Sequence, residues 1–294
     1  MGPGNKSNES GAPRRLKSIG MAEATKPKSS AGHYDANYGN FESDLYTAIR
    51  REAFGEDLGQ NSWLTADEQE RFVAQLALAP GKKLLDIACG AGGPALRIAE
   101  KTGCSVIGID VHEQAIVAAK SLADRRGLTG RTEFLLADAA AKLPFSESEF
   151  DAITCIDALN HLPDRPAVIA DWVRVLKPSG RLLFTDPVTM TGPLSKDEIA
   201  ARGSAGFFLF VPVDYDKRVL ADCGLRLLTC EDATQNMFEV ARKRRLARVS
   251  REEALRKIEG DKNYEQQQRF LEVAAQLAGE RRLSRFLYVA EKPS

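Results

Sequence analysis

A chain of 294 residues with 43% hydrophobic content holds material for one sizeable core, and no apolar run in it approaches a membrane span. Forty-one basic residues against 41 acidic ones leave no net field to attract nucleic acid or a membrane surface. Five cysteines (89, 104, 155, 223, 230) without a Cys-x-x-Cys pair, and three scattered histidines (33, 112, 161), suggest a reduced, metal-free, cytoplasmic protein.

Residues 1–31 are rich in Gly, Ser, Pro, Asn and Lys and cannot bury enough surface to offset ordering entropy, so a disordered arm is expected. It lacks the apolar segment of a secretory signal, whereas Arg14, Arg15, Lys17, Lys26 and Lys28 leave an amphipathic transit peptide open. Residues 32–80 read as a helical lid. Tyr38, Leu45 and Ile49 stand near helical spacing, a polar loop carries Trp63, and Thr65 with Glu68 has capping-box spacing.

The main domain is expected over 81–294. Leu84 to Ala88 is an apolar run interrupted by Asp86, and it ends in glycines at 90, 92 and 93 with Pro94 opening a helix. Strand, glycine turn and helix begin a doubly wound α/β domain. The glycines alone also satisfy the dinucleotide pattern, but a carboxylate at 86 repels a pyrophosphate and favours a cation. Ser105–Asp110 is a second strand, closing on an acid 20 residues beyond Gly90, the distance at which such domains set a carboxylate against ribose hydroxyls. A helix over 113–126, ended by Gly127, precedes a third strand closing on Asp138, and a fourth, 150–157, closes on Asp157. All four acids thus fall at the carboxyl edge of one parallel sheet.

The loop 158–164 carries His161. A helix over 166–176, a turn at Lys177–Gly180 and a fifth strand over 181–186 follow. Residues 187–212 are apolar and aromatic without regularity, suiting a pocket wall or a plain connection. A helix (215–223), a strand (225–232), a helical cap insert (234–283) and a last strand (285–290) complete the chain. The basic residues between Arg242 and Lys257 alternate with glutamates and read as a solvated face.

Asp86, the glycine turn and the acids at 110, 138 and 157 resemble the class I S-adenosylmethionine-dependent methyltransferases of the small-molecule type, over about residues 34–230. The resemblance implies a Rossmann-like, doubly wound, seven-stranded sheet, mostly parallel with the last strand antiparallel, carrying helical cap insertions. It implies S-adenosyl-L-methionine as cofactor, with S-adenosyl-L-homocysteine as product. Asp86 would face the methionine ammonium, with Gly90 and Gly92 in the turn and Ala88 where the family more often has glycine. Asp110 would take the ribose, Val111 would lie beside adenine, and Asp138 and Ala139 would read the adenine edge. Tyr38, Gln60, Asn61, Ser62 or Trp63 would approach the sulfonium or the methionine carboxylate, and Asp157 would border the transfer position.

In-line methyl transfer needs alignment more than a triad, so Asp157 and His161 are the only candidate catalytic groups, and His161 suits a supporting role equally. The partner implied is a small-molecule acceptor methylated at N, O or C, without nucleic acid or membrane insertion, and with a homodimer left open. A regulatory or scaffold protein that binds the cofactor without transfer is the alternative; a dinucleotide oxidoreductase would require Asp86 to tolerate a pyrophosphate.

Overall fold

Leu84, Leu85 and Ile87 of β1 (Lys83–Ile87) are all fully buried, which a strand needs when both faces of its sheet are covered. Successive side chains point to opposite faces. Leu84 therefore joins a cluster with Phe72, Leu76, Leu96 and Ala99, while Leu85 and Ile87 join one built on Ile169, Trp172 and Leu220. Asp86 shares the Leu84 face. The computed structural model describes residues 1–2 and 43–294; beyond the first two residues, the expected arm and Tyr38 lie outside them.

Among the described residues, two α-helices, α1 (Asp44–Phe54) and α2 (Ala66–Val73), precede β1. After it come α3 (Gly93–Thr102), β2 (Ser105–Asp110), α4 (Glu113–Arg125), β3 (Thr132–Leu136), β4 (Phe150–Ile156), α5 (Arg165–Val175) and β5 (Leu176–Met190). Then follow α6 (Lys196–Arg202), β6 (Val211–Pro212), α7 (Tyr215–Asp222), β7 (Arg226–Asp232), α8 (Thr234–Val249), α9 (Glu252–Glu259), α10 (Asp261–Gly279) and β8 (Leu283–Glu291). The sheet order is β3-β2-β1-β4-β5-β8-β7, with β6 paired to the far end of β5. β8 is antiparallel to both its neighbours, and the pairs among β1 to β5 are parallel. The expected doubly wound, mostly parallel sheet is therefore present, with seven long strands and a two-residue eighth.

Three local expectations need correction. Lys177–Gly180 is not a free turn: it is the irregular start of β5, whose register with β4 shifts between Phe150 and Ala152. β5 also continues past Asp186 to Met190, because β8 supplies partners as far as Met190↔Leu283 and a bulge carries the chain across Pro187, which has no N–H for the ladder. Finally, the stretch 187–212 contains α6, opened by a full capping box between Ser195 and Glu198.

The insert packs as a helical layer. Met237, Val240 and Leu271 of α8 and α10 bury Ala53 and Phe54 of α1, while Ala247, Leu255 and Tyr264 enclose Ile49. Its basic residues are largely ion-paired: Arg242 to Glu239, Arg245 to Glu272, Arg248 to Glu259, Arg251 to Glu52 and Arg256 to Glu252. Among the described residues no helix is long and apolar enough to cross a membrane.

Candidate active site

The chain runs β1, β2, β3 to one side and returns to β4 on the other side of β1, so a crevice opens where the direction reverses. The turn after β1 fills its floor. Ala88, Gly90 and Gly92 all have positive φ, at 56°, 55° and 77°. For glycine this is free of strain, whereas the left-handed alanine at 88 costs about 1–2 kcal/mol, and such strain gathers at working sites. Asp110 braces the turn from β2: its Oδ2 accepts the Gly90 N–H at 2.9 Å and its Oδ1 the His112 N–H at 2.9 Å.

Two of the glycines are required by packing as well. A Cβ on Gly92 would stand 2.8 Å from the Ala119 methyl, and one on Gly93 would stand 1.5 Å from the Leu58 carbonyl oxygen. The second contact is with the loop between α1 and α2. The glycine turn thus seats the loop between α1 and α2 as well as floors the crevice.

Asp86, Asp110, Asp138 and Asp157 line one cavity together with Ala88, Gly90, Val111, Ala139, Ser62 and His161, and no Lys or Arg is among its described lining residues. Asp86 accepts the Thr154 hydroxyl at 2.7 Å across the β1–β4 pair. Burial, with the like charge of Asp110 adding to it, pushes the Asp86 carboxyl up to about 7 from an ordinary 3.8. A cationic guest beside it would favour the ionised form. Burial also raises Asp110, against the two backbone N–H groups that favour its ionised form. Asp138 is exposed and accepts the Ala140 N–H, while Val111, 61% exposed, offers a bare apolar face at the rim.

Residues 59–64 close the crevice from the lid. Gln60 is consumed within the loop, accepting from the Leu58 N–H and donating to the Leu64 carbonyl. Asn61 differs: its buried Nδ2 has no hydrogen-bond partner among the described residues. Ser62 Oγ accepts weakly from the Leu64 N–H at 3.3 Å. The Trp63 ring does not line the cavity; it stacks on Phe270 at 6.2 Å within the helical layer. What Trp63 brings to the site is its backbone, whose N–H donates to Asp157 Oδ2 at 2.8 Å.

Asp157 follows β4 at φ 53°. Its Oδ1 accepts from the Thr185 hydroxyl and from Arg285 Nε, both at 2.7 Å, so both oxygens are engaged by the protein. An acid held this way on both oxygens anchors its neighbours. His161 ends a single 3-10 turn after β4, with Nδ1 2.8 Å from the Phe207 carbonyl and Phe208 edge-on at 4.6 Å. Burial lowers its pKa, so at neutral pH the ring is neutral, and the carbonyl selects the tautomer with hydrogen on Nδ1 and the lone pair on Nε2.

Sequence reasoning left Arg285, Asn236 and Thr185 out of the site altogether. The legible signal was an arginine in the otherwise apolar strand Leu283–Ala290. Arg285 is fully buried, and Asp157 and Glu68 outweigh the burial cost to hold its guanidinium above its ordinary pKa. Glu68, expected to close a capping box, turns away from the helix end: Thr65 accepts the Glu68 N–H, but the carboxylate goes to Arg285 and Asn236.

Residues 78–206 match the family model described as a methyltransferase domain. The chain is 31% identical over 204 residues to 27-O-demethylrifamycin SV methyltransferase of Amycolatopsis mediterranei, covering 65% of this chain and 75% of that one. It is also 31% identical over 190 residues to sterol 24-C-methyltransferase of Saccharomyces cerevisiae, covering 62% of this chain and 49% of the other, so it spans about half of that relative. A cyclopropane synthase of Mycobacterium tuberculosis superposes with a TM-score of 0.74 at 20% identity, covering 89% of this chain and 98% of that one, a likeness of fold.

Proposed function

The chain belongs to the class I S-adenosylmethionine-dependent methyltransferases, and we propose that it moves the methyl group of S-adenosyl-L-methionine to a small-molecule acceptor. The carrying observation is the set of four aspartates around a glycine turn in one cavity, with no Lys or Arg among the described lining residues. Such a lining favours a guest that is positive at sulfur and nitrogen over a pyrophosphate. The turn fits that guest too, since Gly90 presents backbone to the cavity where a side chain would otherwise stand.

When bound, the cofactor supplies an electrophilic methyl carbon on sulfur. Asp86 holds the ammonium. Asp110 retains lone pairs beyond those used by Gly90 and His112, and these accept from the ribose hydroxyls. Asp138 and the Ala139 N–H take the adenine edge, and Val111 covers its face. With no Lys or Arg among the described lining residues, neutral donors are the candidates for the methionine carboxylate, and the buried Asn61 Nδ2 with Ser62 offers one such pair. Alignment of donor and acceptor by such a site contributes roughly 7–11 kcal/mol. His161, a neutral imidazole on the cavity wall, is our candidate for taking a proton from an acceptor that carries one. No observation favours binding without transfer.

Calorimetry with S-adenosylhomocysteine against NAD tests the cavity, and mass analysis of an extract incubated with labelled cofactor identifies what gains a methyl group. Binding of NAD in place of the homocysteine ligand would overturn the assignment. His161→Ala is expected to lower kcat by roughly 10²- to 10⁴-fold with cofactor affinity kept; an unchanged kcat would leave His161 a support for the 207–208 loop.

Asp86 predicts a pH dependence. A cation binding beside it displaces a proton, so affinity for S-adenosylhomocysteine should rise by up to about tenfold per pH unit toward about 7 and then level off. The unfolded chain ionises this group near 3.8, so the free protein loses the stability linked to its protonated form as pH climbs through about 7. Asp86→Asn should flatten the binding profile; a profile equally steep in that variant would assign the proton elsewhere.

A further inference from the structure

Five residues from five parts of the chain close a ring of hydrogen bonds beneath the lid. Trp63 is gripped on both sides of its backbone: its N–H donates to Asp157 Oδ2 at 2.8 Å, and its carbonyl accepts from Asn236 Nδ2 at 2.7 Å. The same Asn236 amide donates to Glu68 Oε2 at 2.8 Å. Glu68 receives Arg285 Nη1 at 2.8 Å on both oxygens, and Arg285 Nε returns to Asp157 Oδ1 at 2.7 Å. The lid loop, α2, α8, β8 and the end of β4 meet in this ring.

Its charged members are almost wholly out of water, with side-chain exposures of 0% for Arg285, 2% for Glu68 and 4% for Asp157. The Arg285 backbone is itself pinned, its N–H donating to Thr234 Oγ1 and its carbonyl accepting from Ala233 N–H. Buried charges are tolerable only while every partner is in place. Removing one partner would leave buried charge uncompensated, so the bonds of the ring depend on one another.

We propose that Arg285 and Asn236 are positioning residues for methyl transfer, which hold the Trp63 backbone and through it set Asn61 and Ser62 over the cofactor. The proposal rests on the reading of the cavity as the cofactor site. Neither residue lines the cavity; each acts through the lid. A guanidinium is needed at 285 because its fork reaches two carboxylates in different directions, whereas a lysine ammonium is a single point charge.

The test uses the full chain and its Asn236→Ala and Arg285→Lys variants, with S-adenosylhomocysteine dissociation followed by stopped flow and amide exchange read at Trp63 and along β1. Asn236→Ala should release the ligand about tenfold faster, the loss expected for one buried hydrogen-bond partner, and should expose the Trp63 amide while β1 stays protected. Arg285→Lys should shift both readouts further in the same direction without restoring the ring. Should the lysine variant not fold, Asn236→Ala decides alone, since it removes no charge. Wild-type dissociation and Trp63 protection in folded Asn236→Ala would overturn the proposal. A wild-type chain that binds no S-adenosylhomocysteine would instead refute the cavity assignment, and Trp63 exchange would still report on the ring.

Discussion

Asp110→Ala should weaken binding of S-adenosylhomocysteine by about 1–3 kcal/mol, roughly five- to 150-fold, if its carboxylate accepts from both ribose hydroxyls as proposed. The same substitution leaves the Gly90 and His112 N–H groups without the acceptors that hold the turn. A second consequence separates this role from simple loss of fold. Asp110 is one of the groups raising Asp86, so its removal should lower the pH at which cofactor affinity levels off. Asp110→Asn, which keeps one oxygen, should fall between the two. Titration calorimetry across pH measures both effects, and an affinity equal to wild type would reject the ribose assignment.

Gly93→Ala is expected to be the most damaging single methyl in the turn. The added carbon would lie 1.5 Å from the Leu58 carbonyl, and the obstacle is backbone, which cannot swing aside as a side-chain tip can. Overpacking of this kind costs typically about 1–3 kcal/mol. Here relief requires the 58–64 loop to lift from the crevice, so cofactor affinity should fall together with the unfolding midpoint. Gly127→Ala makes the control: its φ of 65° strains an alanine, but nothing lies within 4 Å of the new carbon. Denaturation and S-adenosylhomocysteine titration of both variants decide the matter. Equal cofactor affinity in the two would show that the Leu58 contact does not hold the lid.

The glycine-turn side of the cavity was legible because its signals are local. Asp86, the glycines and Asp110 lie within one strand-turn-helix-strand unit, where alternation and backbone sterics leave few arrangements open. The lid side was far less legible. The resemblance set Trp63 among the residues that would approach the cofactor, whereas its ring stacks on Phe270 in the insert. Asp157 looked like a reacting group from its strand-end position. Its partners, Thr185 and Arg285, lie 28 and 128 residues further along the chain, and they turn it into an anchor.

Continuous apolar runs and turn chemistry, read from neighbouring residues, thus pointed to the sheet, the glycine turn and the order of acids along one edge. The capping box at Ser195 shows that even the overlooked α6 carried a readable local sign. Which groups those acids meet is another matter. Glu68 finds Arg285 across 217 residues because both must leave water together, and only packing of the helical layer on the sheet brings them within reach. Backbone geometry is set over a few residues and can be read there; the pairing of buried charge is settled by whatever the whole fold brings alongside.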